Sequence, residues 1–131
     1  RTTVFESTRR IASVKKDYLQ MRVLELAPQV YASGPLFETD LSLISKQDVR
    51  SIVLLRPDDE SPDQPKASDL AAAAEEYGIV LVHFPVAGTS IGGEDAMAFM
   101  NACDDLARPL LVCGRSGAHA TRVWEKAETV H

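Results

Sequence analysis

Short apolar runs separated by polar, alanine-rich or turn-rich stretches set the rhythm of this chain. "RVLELAPQVYASG" reads as two short strands broken at Pro28, and "SIVLL" (51–55), "IVLVHFPV" (79–86) and "PLLVC" (109–113) are continuous apolar runs of the length that buried strands have. Between them lie helical patterns. Asp40 is placed to cap "LSLISKQ", Ser68 to cap "DLAAAAEEYG", and Gly78 to end the latter. "EDAMAFMNACDDLA" predicts a helix with Met97, Met100 and Ala107 on its buried side, and "AHATRVWEKAETV" predicts the last helix. An earlier stretch, "TRRIASVKKDYLQM", places Ile11, Val14, Tyr18 and Met21 at roughly helical spacing. Strands alternating with helices predict an α/β fold of three layers, with a mostly parallel central sheet of about four to five strands covered by helices on both faces. The expected organisation is an N-terminal arm or helix over residues 1–22 and one domain over 23–131.

Charge narrows the choice of partner. The 131 residues carry a formal net charge of -5, which opposes nucleic acid or an anionic membrane as the main partner, because both attract concentrated positive charge. Within residues 1–22 six basic side chains stand against Glu6 and Asp17, a local +4, so the remainder carries -9. Scattered basic residues of that kind read first as a solvated arm. A small anion remains compatible with an acidic protein, since one loop can be locally positive. No window reaches the run of about 18 apolar residues that a membrane span needs, and no secretory signal pattern is present, which predicts a cytoplasmic domain. The two cysteines, Cys103 and Cys113, are too few for a disulfide scaffold and are expected to be reduced. The first residue is Arg1, and an additional domain before it, or a protein partner, is expected to set part of the task.

The chemistry concentrates at "LLVCGRSGAHATRVW" (110–124). The order is strand, glycine-containing loop, helix. At such a junction loop amides and a helix N-terminus converge outside the carboxyl end of the sheet and attract an anion such as phosphate. Gly114 and Gly117 allow tight curvature, and Gly114, Arg115, Ser116, Gly117, Ala118 and His119 are the expected phosphate-binding residues. A cysteine at the head of the loop, Cys113, would feel the same field and become a nucleophile. Two rival phosphate loops are excluded: the Gly-Lys-Ser/Thr ending of nucleotide hydrolases and the three spaced glycines of dinucleotide binding are both missing. No His/Cys/Asp grouping has metal-ligand spacing, so no metal and no cofactor are expected.

"LLRPDDESPDQP", "VLVHFPV" and "RSGAHATRVW", in that order, resemble the beta-lactamase-hydrolase-like phosphatase family, a bacterial branch of the cysteine-dependent tyrosine and dual-specificity phosphatase fold. The likeness runs from about Leu26 to the C-terminus. It implies a strand ending in a catalytic Cys, then Arg-Ser-Gly, Thr-Arg and a helix bearing Leu-Trp. Aligning "RSG" and "VW" puts Gly114 at the family's cysteine and His119 at its arginine. Counting from Cys113 instead leaves five residues to His119, the phosphatase interval, and only the arginine is lost. Both alignments stand open. Arginine grips two phosphoryl oxygens with a charged fork, whereas histidine offers one donor, and losing a preorganised donor typically costs about 10²–10³ in rate.

The expected function is therefore a phosphatase-like domain that binds a phosphomonoester or other oxyanion, a phosphorylated substrate included, with catalysis weakened or lost. The alternatives are an active cysteine phosphatase using Cys113, and a rhodanese-like sulfurtransferase whose loop encloses an anion above a persulfide. The general acid is expected in the acidic loop, with Asp58 ahead of Asp59 and Glu60, because "AGTSIGG" carries no carboxylate. His83, Cys103 and Trp124 read as structural, and Arg115 and Arg122 as further sources of positive charge near the loop.

Overall fold

A computed structural model describes residues 23–86, 88 and 91–130. The expected arm over 1–22, with its amphipathic spacing, lies outside the described residues. Five strands form one sheet: β1 (Val23–Ala27), β2 (Val30–Ser33), β3 (Ser51–Leu54), β4 (Val80–His83) and β5 (Leu110–Cys113). The order across the sheet is β1-β2-β5-β3-β4, antiparallel for β1 with β2 and parallel for the rest. Pro28 and Gln29 make the tight turn between β1 and β2, and Gln29 takes a left-handed φ of 63° to close it. Four helices follow the strands: α1 (Leu41–Lys46), α2 (Ala67–Glu76), α3 (Gly93–Asp104) and α4 (Gly117–Val130).

The period-2 geometry of the strands divides the core in two. Leu110, Val112, Val53 and Leu55 pack with Ala96, Phe99 and Cys103 of α3 and Ala120, Val123, Trp124 and Ala127 of α4. Leu111, Cys113, Ile52 and Leu54 pack on the other face with Leu41 and Ile44 of α1 and Ala67, Leu70 and Ala74 of α2. Phe99 meets Phe84 and Trp124 edge to face, with centroids 5.6 and 6.1 Å apart. β5 is central, and all four of its residues are buried. The three-layer α/β architecture of the sequence reading is the observed one.

Local details differ from that reading. Asp40 makes no side-chain cap to α1; its Oδ2 accepts from the Phe37 N–H at 2.9 Å and closes the 3-10 turn at Glu38–Asp40. α2 begins at Ala67, so Ser68 lies inside it, and the Ala67 N–H donates to Asp58 Oδ1 at 2.8 Å. A remote aspartate thus caps the helix, because the loop folds back where a local serine was expected. Gly78 does end α2, at φ +75°. On α3 the buried residues are Ala96, Phe99, Met100 and Cys103, whereas Met97 is 52% exposed and Ala107 lies beyond the helix and is exposed. β4 sits at the sheet edge, with Val80 exposed and Leu81 to His83 half-buried.

Candidate active site

The junction after β5 is built from both neighbouring strands. The Gly114 N–H donates to the Ser33 carbonyl of β2 at 3.0 Å, and the Leu55 N–H after β3 donates to the Cys113 carbonyl at 2.8 Å. The chain therefore leaves the sheet at a fixed height and direction. Ser116 starts α4: its Oγ accepts from the His119 N–H at 3.0 Å and its carbonyl accepts from the Ala120 N–H at 3.1 Å. Gly117 and Ala118 then occupy the first turn, where N–H groups have no partner inside the helix and carry the positive end of its dipole. Arg115, Ser116 and Ala118 are exposed and Gly117 is half-buried, so this end of the helix faces solvent.

Cys113 lies on the far side of the sheet from α4. Its side chain belongs to the layer with α1 and α2, and its sulfur is 3.2 Å from Ser33 Oγ. Burial pushes the thiol up to about 12, opposed by the Ser33 hydrogen bond and reinforced by the charge of Asp40. Alternation explains the placement: Cys113 shares its face with Leu111, while α4 covers the face of Leu110 and Val112. Cys103 packs between α3 and the sheet, and burial pushes its thiol to about 12 as well.

Gly114 faces the loop interior. A Cβ built on it would stand 2.8 Å from His119 Nδ1, 3.0 Å from the Ala120 nitrogen and 3.1 Å from the Ser116 oxygen. His119 is 1% exposed and turns inward, with Nε2 2.6 Å from the Gly88 carbonyl oxygen. The imidazole thus fills the space that a side chain at 114 would enter.

The acidic loop comes to the same end of the sheet but spends its carboxylates elsewhere. Asp58 caps α2. Glu60 lies 3.1 Å from Arg56 Nε and 3.7 Å from Arg115 Nη1, bridging the acidic loop to the loop after β5. Asp59 sits at φ 65° in the left-handed region, fixing the turn. His83 donates its Nε2 hydrogen to the Arg56 carbonyl at 2.9 Å, a structural role in keeping with the sequence reading. Sequence reasoning missed the Ser33 and Gly88 partners, which are backbone or small side-chain groups far away in the chain. The strand alternation was the available signal for Cys113. Among the described residues no group of three or more His, Cys, Asp or Glu side chains is arranged to hold a metal, and no helix is long and apolar enough to cross a membrane.

Residues 20–130 match the family model described as the phosphatase-like domain of beta-lactamase hydrolase-like protein. The beta-lactamase hydrolase-like protein of Xylella fastidiosa strain 9a5c is 32% identical over 110 residues, which is 84% of this chain and 26% of that protein. The chain therefore spans about a quarter of the length of the curated relatives it matches. A crystal structure of a presumed phosphatase from Neisseria meningitidis z2491 is 26% identical with a TM-score of 0.71, over 76% of this chain and 71% of that one. Another from Shewanella putrefaciens CN-32 is 26% identical with a TM-score of 0.69, over 87% and 78%. At 18% identity, Tk-PTP superimposes with a TM-score of 0.56 and shares the fold.

Proposed function

The chain belongs to the family of phosphatase-like domains of beta-lactamase hydrolase-like proteins, and from that premise we propose that it keeps the phosphate loop as an oxyanion seat while having given up cysteine-based turnover. One observation carries the reading: the side-chain direction that opens into the loop belongs to Gly114, not to Cys113. In a cysteine phosphatase the thiolate at that place attacks phosphorus and an arginine grips the equatorial oxygens. Here the first place has no side chain, and the second holds His119, tied to Gly88. What supports binding is the set of groups that remain: the first-turn N–H groups of α4, Arg115 at the rim, and the dipole of a 14-residue helix.

The alternatives, an active phosphatase and a sulfurtransferase, both route their chemistry through the Cys113 sulfur. Complete burial, the Ser33 contact and a thiol pushed up to about 12 weigh against both, because the thiolate is the reacting species. Asp58 is proposed as a structural cap and Glu60 as a screening carboxylate for Arg115, with neither acting as general acid. Free Cys103 and Cys113 fit a reducing, cytoplasmic setting, and a phosphorylated group or a protein partner fits the exposed rim. Titration with inorganic phosphate, followed through the amide signals of Gly117 and Ala118, tests the seat. Saturable shifts confined to residues 114–119 are expected; shifts absent or spread over the surface overturn the reading.

A further inference from the structure

His119 brings to the loop a group of opposite hydrogen-bonding sense to an amide. Its Nε2 lies 2.6 Å from the Gly88 carbonyl oxygen, and a carbonyl only accepts, so Nε2 donates. In the neutral ring Nδ1 is then an acceptor. Among the described residues Nδ1 is buried without a partner, and it lies 2.8 Å from the Cβ position of Gly114. Two independent features therefore share the first turn of α4. The N-terminus of α4 offers donors, and the imidazole, 1% exposed, offers one unused acceptor.

We propose that this seat takes hydrogen phosphate, an oxyanion that keeps an O–H of its own, in preference to sulfate or a dianionic phosphomonoester. The inference rests on the reading of residues 114–119 as an oxyanion seat and names the ion it selects. Sulfate brings only lone pairs, to which the amides donate and which Nδ1 repels. Hydrogen phosphate satisfies both: its bare oxygens face the amides and its hydroxyl donates to Nδ1. A phosphomonoester gives up its second proton near about pH 6, so at higher pH it stands where sulfate stands. Because Nδ1 is buried, the new hydrogen bond does not have to replace one made to bulk solvent. Binding must part the wall over Nδ1, which a glycine at 114 eases by adding no side chain.

The experiment is a titration of ¹⁵N-labelled protein at about pH 8, where a phosphomonoester has lost its second proton, with phosphate, sulfate and phenyl phosphate at matched ionic strength. The amide signals of Gly117 and Ala118 are expected to report phosphate bound at least about ten-fold more tightly than either other ion, the value of one unsatisfied acceptor. The Nδ1 resonance of His119 is expected to move with phosphate and hold still with sulfate. His119→Arg, which exchanges the acceptor for donors, is expected to erase or reverse the preference. Should that variant fail to fold, the Nδ1 signal of the unaltered protein decides. Equal affinities, a preference for sulfate or the monoester, or an unmoved Nδ1 overturn the selectivity and leave the seat standing. If none of the three ions moves Gly117 and Ala118, the seat and its selectivity fall together.

Discussion

Adding a single methyl group at residue 114 tests how the loop is filled. In Gly114→Ala the new Cβ meets His119 Nδ1 at 2.8 Å, the Ala120 nitrogen at 3.0 Å and the Ser116 oxygen at 3.1 Å. Two of those atoms are backbone at the start of α4 and cannot rotate away. Gly114 lies outside the left-handed region, so the substitution adds no backbone strain, and loss of unfolded-state freedom alone would stabilise by about 0.4–1 kcal/mol. Overpacking of a tight site costs about 1–3 kcal/mol, and that term wins. The expected net loss is about 1–2 kcal/mol, or a fall in Tm of about 4–8 °C for a domain of this size. Urea and thermal unfolding of the single and double variants measure it. Combined with His119→Ala, which removes the nearest contact, Gly114→Ala is expected to cost less by at least about 0.5 kcal/mol. A variant as stable as the parent, or an equal loss in both backgrounds, refutes the claim that the imidazole occupies the place of a side chain at 114.

Further outcomes follow from the same geometry. A thiol reagent at about pH 8 is expected to label neither Cys103 nor Cys113 in the folded chain and both after unfolding, as counted by absorbance; rapid native labelling of Cys113 contradicts its placement. Because burial raises both thiols from 9.0 to about 12, the folded chain keeps protons that the unfolded chain releases, so this contribution to stability is complete below pH 9 and is lost between 9 and 12. Urea midpoints across that range should fall with pH, and Cys113→Ala should flatten the fall. Asp58→Ala removes the cap on the Ala67 N–H and is expected to cost about 0.5–2 kcal/mol in urea unfolding while leaving phosphate affinity unchanged; weakened anion binding with unchanged stability would reverse the assignment. Glu60→Gln removes the carboxylate 3.7 Å from Arg115, so phosphate affinity should rise slightly with stability changed by no more than about 1 kcal/mol.

Much of the fold was legible because buried parallel strands announce themselves as continuous apolar runs: 51–55, 79–86 and 109–113 each contain an observed strand. The position of the loop was legible for the same reason. What the chain order concealed was long-range partnership. Asp58 caps a helix nine residues on, Gly88 receives His119 across 31, and Ser33 meets Cys113 across 80. Local propensity carries no record of such contacts. The choice between Cys113 and Gly114 as the inward residue turned on a one-residue register, and in a strand one residue is the whole difference between the two faces of the sheet.

The most direct measurement is hydrolysis of p-nitrophenyl phosphate by the unaltered protein beside Cys113→Ser. Neither protein is expected to release p-nitrophenol above buffer, while phosphate still binds. Turnover in the unaltered protein that disappears in Cys113→Ser would contradict that expectation, since it would require the sulfur now against Ser33 to face the seat.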